Sequence, residues 1–495
     1  MRASVLGTTS GRSRPRCELA RRLLLAGCAA LGACLATVTP SKAQTPRGLP
    51  VAETNANSQL SPPQRDDVAE QEQASWSLRK LPPQTYMNEI YWPRSPETIP
   101  FLSESLLQLV GRTYNLTRDN FDGSRTQGFT VGGWIAWRSG LIGNIFGVHA
   151  ALYTSQKLYA PDGEGGSRLL TAEQDPINVV GQIYARAQFG DQEIRGGRML
   201  VDTPLINPQD NRMVPNTFEG AQIVSLPDKD RMYDYAAGYL WTIKQRDSND
   251  FIPMSDALAG ADTINRGTPF AMFRVRPMPG LTAVVMDYYV EDFINSAFGQ
   301  AEYNFQQPKG VPNWILGGNI IHQSSVGNSL LTGLPFTTYQ ASGKVQVSYL
   351  GWTLFAAGSV TGEGSKIFSP FGSKPNYTDM QQVSFDNPRE KAFGVSAAYD
   401  FGGLGLNGFS GGVWYTVGWD AFDAVKNAAI HNRNEFDVWL QYRPSEGPLK
   451  GLRIKTQYSN VWQNGNVRDT QPEFRFIVDY TVLFRPLFNV VSVAY

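Results

Sequence analysis

The chain has 495 residues, 12% of them aromatic and only 18% charged; 44 basic residues balance 44 acidic ones, and the mean hydropathy is −0.28. This balance excludes the basic domain that nucleic-acid binding calls for. The three cysteines, Cys17, Cys28 and Cys34, all precede an expected cleavage site, so the mature chain is expected to have no disulfide or thiol chemistry.

At the N-terminus, Arg12, Arg14, Arg16, Arg21 and Arg22 form a basic n-region, and Leu23 to Val38 an apolar, Ala-rich h-region. Ser41-Lys42-Ala43 is a small-x-small site before Gln44. Together these predict a secretory signal peptide over residues 1–43, cut after Ala43. The apolar run falls short of the ~20 residues a spanning helix needs. Two strings resemble lipoboxes, Leu25-Ala26-Gly27-Cys28 and Leu31-Gly32-Ala33-Cys34. The first follows Arg22 too closely to leave an h-region, and lipidation at Cys34 stays an alternative. Cleavage removes seven basic residues and one acidic one, leaving 37 basic against 43 acidic and a net charge of −6.

Residues 44–100 hold Pro62-Pro63, Pro82-Pro83 and a Gln/Glu/Asp-rich run from Gln64 to Gln73. That composition predicts a poorly ordered N-terminal extension. Trp76, Tyr86, Tyr91 and Trp92 are the residues that could dock part of it on the folded domain.

From Ser103 onward the period is two. Gln182 to Phe189 alternates polar and apolar, as does Met272 to Arg276. Glu435, Asp437, Gln441 and Arg443 oppose Phe436, Val438, Leu440 and Tyr442. Arg453, Lys455, Gln457 and Ser459 oppose Leu452, Ile454 and Tyr458; Glu473, Arg475 and Asp479 oppose Phe474, Phe476, Val478 and Tyr480. Such alternation predicts strands with one apolar and one polar face. A propeller would repeat every ~40–50 residues, and no such repeat is present. A soluble sandwich would bury the apolar face, but arginine pairs in its dry core would be costly. A membrane barrel turns the apolar face to lipid and keeps the charges wet.

Eighteen strands are expected, near 104–116, 128–139, 142–158, 177–190, 192–202, 219–227, 230–244, 268–278, 280–293, 299–307, 313–323, 341–350, 352–361, 390–402, 409–420, 432–444, 450–462 and 471–484. An even count suits a closed antiparallel barrel. Connections alternate in length. Ser139-Gly140-Leu141, Pro277 to Gly280 and Gly402 to Gly405 read as tight periplasmic turns, whereas 158–176, 203–218, 245–267 and 362–389 read as long extracellular loops. Trp134, Trp137, Tyr288, Tyr289, Trp414, Tyr415, Tyr480 and Phe484 suit interfacial aromatic girdles.

One stretch breaks the pattern. Arg195 to Gly220 begins as a strand and then stops alternating, because Pro204, Pro208 and Pro215 each remove a backbone donor. Its mixture of Asp, Asn and Arg with Leu, Ile, Met, Val and Phe predicts a loop folded back and packed by its own side chains.

Ser103 to Leu106, Arg112 to Asn120, Thr203-Pro204, Asp210-Asn211-Arg212, Pro215, Thr217, Gly220, Tyr399 to Phe401 and Glu473 to Tyr480 form an ordered set across roughly 103–484. In order and spacing this set resembles the OprD family of outer-membrane porins. The resemblance implies an all-β, eighteen-stranded transmembrane barrel over 101–495. The loop after the fifth strand, here about 203–218, would fold inward. A ladder of inward arginines would guide carboxylate-bearing solutes such as amino acids, small peptides or organic acids. Two departures stand out: the long extension, and a tail from Arg485 to Tyr495, which leaves the last strand ending at either Phe484 or Tyr495.

On that reading Asp210, Arg212, Asn207 and Asn211 form the constriction, where low-dielectric walls focus the field of both signs of charge. A local Asp–Arg brace for the loop is the alternative. Arg186, Arg195, Arg198, Arg274, Arg276, Arg453, Lys455 and Arg475 are the ladder candidates, since guanidinium grips carboxylates bidentately and stays charged. For each, a salt bridge across the lumen to Glu473, Asp437 or Asp287 is the alternative. Asp287 and Glu291 balance this charge rather than catalyse. His149, His322 and His431 lack ligand-like spacing, so no metal and no cofactor is expected. The expected surroundings are outer-membrane lipid and lipopolysaccharide, small solutes and the barrel assembly machinery. The expected state is a monomer, with a trimer as the alternative. A general or carbohydrate-selective porin is the first competing function; an outer-membrane enzyme or a secreted soluble β-protein is the second.

Overall fold

The computed structural model describes residues 88–93, 99–226, 231–259, 264–308, 310–423 and 427–487. The expected signal peptide with its cut after Ala43, the alternative lipid site Cys34 and residues 44–87 of the extension lie outside the described residues, as do residues 488–495.

Eighteen antiparallel strands make one closed sheet. The first six are β1 (Leu106–Asp119), β2 (Arg125–Arg138), β3 (Phe146–Tyr159), β4 (Ile177–Phe189), β5 (Gln192–Met199) and β6 (Thr217–Ser225). The next six are β7 (Tyr233–Lys244), β8 (Thr268–Met278), β9 (Leu281–Val290), β10 (Ile294–Asn304), β11 (Asn313–Ser325) and β12 (Thr337–Tyr349). The last are β13 (Trp352–Thr361), β14 (Lys391–Asp400), β15 (Phe409–Trp419), β16 (Arg433–Tyr442), β17 (Leu452–Gln463) and β18 (Thr470–Leu487). Each strand pairs with its neighbours in sequence. β1 lies between β2 and β18, from Leu107 opposite Phe484 to Arg118 opposite Glu473, and this pairing closes the barrel. Closure leaves no open edge, the condition a sheet must meet to satisfy its backbone in hydrocarbon.

β12 displays the sorting that makes the fold. Thr338, Gln340, Ser342, Lys344 and Gln346 are buried on the inner face, while Tyr339 and Val345 are exposed on the outer one. The same inversion runs around the wall: Ile135, Leu152, Ile183, Val285, Leu354, Phe393, Leu440 and Phe474 are exposed large hydrophobics. A soluble sandwich would hide these side chains; here they form the lipid-facing surface.

The connections alternate in length as expected, with local differences. The turn after β2 widens to 139–145. β10 begins at Ile294, earlier than expected, because Glu291 to Phe293 suffice for the turn. Asp292 adopts φ +67° there, a left-handed conformation Asp tolerates, and its carboxylate accepts from Arg266 and Asn328. Gly280 turns β8 into β9 at φ +83°, where a Cβ would meet the Asn304 carbonyl oxygen at 2.1 Å. β18 runs past Phe484 to Leu487, while Tyr495, the other expected end, is not among the described residues. Asn88–Pro93 forms a further strand, parallel to Val482–Leu487 of β18.

The apolar interior lies inside the barrel, where two loops pack against the wall. In the loop of residues 200–216, Leu205 and Ile206 join Phe270, Met286, Tyr288 and Phe293. At its other end Met213 and Val214 join Tyr114, Leu116, Tyr153 and Leu169. Each fully buried aliphatic side chain is worth roughly 1.5–3 kcal/mol, so these two anchors hold the loop across the lumen. The loop of residues 362–390 is also folded inward: Met380, Val383 and Phe385 pack on Phe355, Trp414 and Val461. Its length predicts a long extracellular loop; the burial of Met380, Val383 and Phe385 instead draws it into the barrel.

Candidate functional site

The two inward loops meet at Asn207, which is buried. Its Nδ2 donates to the Ser373 carbonyl at 2.7 Å, and its Oδ1 accepts from the Ser373 amide at 3.0 Å and hydroxyl at 3.1 Å. Gly372 permits the approach. It sits at φ +151°, and a Cβ there would fall 2.4 Å from Asn207 Oδ1. Asn207 thus fastens one loop to the other.

Asp210 projects from the loop into the open lumen, with its side chain 27% exposed. Its partner is Arg112 on β1, whose Nη1 donates to Asp210 at 3.0 Å. Arg112 Nε donates to Asp479 on β18 at 2.6 Å, and Asp479 also takes Arg453 on β17 through Arg453 Nε at 2.7 Å. An alternating row Asp210–Arg112–Asp479–Arg453 therefore runs from the loop tip down the wall. Arg112 also lies over the Trp134 ring at 5.2 Å. Arg453, with its side chain 31% exposed, is the most open cation of the row.

Arg212 departs from the expectation of a lumen-facing charge beside Asp210. It is 4% exposed, and its guanidinium donates to the carbonyls of Ser167 at 3.0 Å and Asn211 at 2.8 Å. Arg112 draws Asp210 toward β1, whereas the Ser167 carbonyl draws Arg212 toward the loop after β3. Burial, reinforced by the neighbouring Arg475, pulls the Arg212 guanidinium down to about 10. Asn211 is a second hub: its carbonyl accepts from Tyr114 Oη at 3.3 Å, and its side-chain oxygen from Arg246.

The ladder candidates separate into groups. Arg186 and Arg195, with Arg138, surround the buried Glu193 at 3.1, 2.7 and 2.9 Å near the short-turn end. Arg274 and Arg276 share Asp234 at 3.8 and 2.7 Å. Arg475 Nε donates to Glu473 at 2.6 Å and Nη2 to the Gln381 carbonyl at 3.2 Å, which ties the wall to the second loop. Lys455 lies over the Trp439 ring at 5.9 Å. These seven face inward. Arg198 does not, and its place in the ladder is corrected. It stands opposite Ile183, which is 55% exposed on the outer face, and it pairs with Glu219 at 3.5 Å and lies over the Phe251 ring at 4.3 Å. Arg198 stands three positions after Arg195, and a period of two puts them on opposite faces.

The second loop carries its own buried cluster. Lys374 Nζ lies 2.9 Å from Asp379 and 3.4 Å from Asp386, and Asn376 donates to Asp379 at 2.6 Å. Burial pushes the Asp379 carboxyl up to about 6 despite the lysine. Tyr377 of the same loop donates to Glu302 at 2.6 Å, and Lys344 reaches Glu302 at 2.7 Å. Sequence reasoning missed Arg112, Arg246 and this loop. Arg112 carried a signal, because it shares its strand face with Tyr114 and Leu116, but its acidic partners lie 98 and 367 residues away. Among the described residues no group of three His, Cys, Asp or Glu could hold a metal ion.

The family model for the outer-membrane porin family OprD matches residues 100–484. The porin-like protein GalP of Pseudomonas putida KT2440 is 23% identical over 395 residues, which is 77% of this chain and 92% of the relative. OpdK of Pseudomonas aeruginosa, solved with vanillate, superposes with a TM-score of 0.68 at 23% identity, over 77% of this chain and all of OpdK. OccAB2 of Acinetobacter baumannii superposes with a TM-score of 0.70 at 21% identity, over 78% of this chain and all of OccAB2. Family and fold point to a channel rather than an enzyme, and to the lipid setting of the bacterial outer membrane. With its closed eighteen-stranded barrel, inward loops and family match over 100–484, the chain belongs to the OprD family of outer-membrane porins.

Proposed function

We propose that the channel takes up small solutes bearing a carboxylate, organic acids and amino acids foremost, through a lumen whose inward-facing cations favour anions. The observation that carries this reading is the row Asp210–Arg112–Asp479–Arg453, with a carboxylate open at the loop tip and a guanidinium open below it. Low-dielectric walls concentrate the field of such a row, and a guanidinium holds a carboxylate by two parallel hydrogen bonds. Paired cations bind more weakly than bare ones, which suits a solute that must also leave. OpdK was solved with vanillate, an aromatic carboxylate, and a solute of that kind fits this reading. A sugar slide of bare aromatic rings finds less support, since Arg112 lies over Trp134, Lys455 over Trp439 and Lys344 over Tyr377. The working unit on this reading is a single barrel, inserted by the barrel assembly machinery.

The test is uptake by vesicles containing the folded chain, comparing benzoate with benzyl alcohol and an amino acid with a sugar of similar size. Faster entry of the carboxylates supports the reading; entry ranked by size alone sinks it.

A further inference from the structure

We propose that the chain holds a small anion where the loops of residues 160–176 and 200–216 meet the segment 245–251, bound by Arg246 with Arg212 and Arg168. This site is separate from the open row of the lumen.

Two guanidiniums converge on Asn211. Arg212 Nη1 donates to its carbonyl at 2.8 Å, and Arg246 Nη1 bonds its side-chain oxygen. Arg212 Nε takes the Ser167 carbonyl at 3.0 Å, and the Arg246 backbone amide takes Asn216 Oδ1 at 2.8 Å. All these partners are neutral. Arg246 is 3% exposed, and its Nη2 is a buried donor without a hydrogen-bond partner. The nearby carboxylates are engaged elsewhere: Asp247 faces Arg168 at 3.8 Å, and Glu473 takes Arg475 at 2.6 Å and Arg118 at 3.5 Å.

Five guanidiniums (Arg118, Arg168, Arg212, Arg246 and Arg475) thus face three carboxylates, Asp247, Glu473 and, beside Arg475, Asp437, and Arg246 and Arg212 themselves are closed to water. An uncompensated buried cation is costly, and arginine does not escape by losing its proton. The surroundings of Arg246 act on it accordingly: burial first, then Arg212 and Arg168, pull its guanidinium well below its ordinary value. An anion at Nη2 would supply both the missing acceptor and the missing charge. Arg168, on the rim, is held at φ +57°, a conformation uncommon outside glycine, and its side chain is 30% exposed. That leaves a route for exchange.

The enclosure calls for a small ion such as chloride. A carboxylate from a passing solute offers the same chemistry, and the experiment separates these sources. The full mature channel is crystallised in bromide, and anomalous scattering is mapped with and without added benzoate. A bromide peak in contact with Arg246 Nη2 is the expected result; none at saturating bromide overturns the site. A peak that benzoate leaves in place assigns the site to an inorganic ion, and one that benzoate removes assigns it to the solute carboxylate. Either keeps the site. In solution, small halides should raise the unfolding temperature saturably over gluconate at equal ionic strength, by about 2 °C or more. That rise should vanish in Arg246→Met and persist in Arg198→Ala. An identical temperature in all these salts for the unsubstituted chain would count against the proposal, whether or not the variant folds.

Discussion

Asn207 and Ser373, 166 residues apart, share three hydrogen bonds inside the barrel, and through them the two inward loops behave as one unit. Neither loop is near the other in sequence, so the width of the neck proposed for the lumen rests on this side-chain clasp, on the bond from the Asn207 amide to the Phe371 carbonyl at 3.1 Å and on the apolar anchors at either side.

Replacing Asn207 with Ala should therefore change the neck more than the barrel. The substitution leaves the Ser373 amide and carbonyl buried without partners, a cost of about 1–3 kcal/mol. The expected result is larger and noisier single-channel current, with a barrel that still resists SDS until heated. Unchanged current would show that the backbone bond and the apolar anchors set the neck.

Arg453→Ala should weaken anion preference, because it removes the most exposed cation of the row while Arg112 keeps Asp479 paired. Arg198→Ala should leave preference unchanged, because that side chain lies on the outer face. Reversal potentials of the two variants in one salt gradient check both. Equal shifts would mean that net charge, not position, governs selectivity.

Burial pushes Asp379 up to about 6 from an ordinary value near 3.8. A carboxyl raised in the folded state contributes stability that is fully present below the unfolded value and is lost as pH rises through the folded one. Between about pH 4 and pH 6 the second loop should thus lose roughly 3 kcal/mol from this residue. Asp379→Asn should remove that difference. The check is the gap between the two unfolding temperatures across pH 4–7; a constant gap would contradict the assignment.

Val345 faces lipid, and its neighbour Lys344 faces the lumen. Val345→Arg should cost about 2–4 kcal/mol of folding into bilayers, falling with distance from the midplane. Lys344→Arg should fold nearly as well as the unsubstituted chain. Equal yields would argue against the inverted sorting of the wall.

The wall was legible in the sequence because lipid and lumen write a period of two into every strand. Expectation and structure differ mainly at strand ends, as at Ile294, where Asp rather than Gly makes the turn. The loop at 200–216 announced itself through three prolines among apolar residues. The loop at 362–390 carried a similar signal in Ile367, Phe371, Met380, Val383 and Phe385, yet length alone gave it the appearance of an outer loop. The partners of the charges were not legible. Arg112 finds Asp479 across 367 residues, and no local rule shows that closure of the barrel brings β1 beside β18. Arg198 is a different matter: its spacing from Arg195 already assigned it to the outer face.

The most direct test of carboxylate-favouring uptake is the reversal potential of the folded mature chain in a planar bilayer across a tenfold gradient of potassium chloride. The expected sign is that of anion preference, set by the cations of the row against the net charge of −6 expected after cleavage at Ala43. A reversal potential of zero, or one of the opposite sign, would contradict the account.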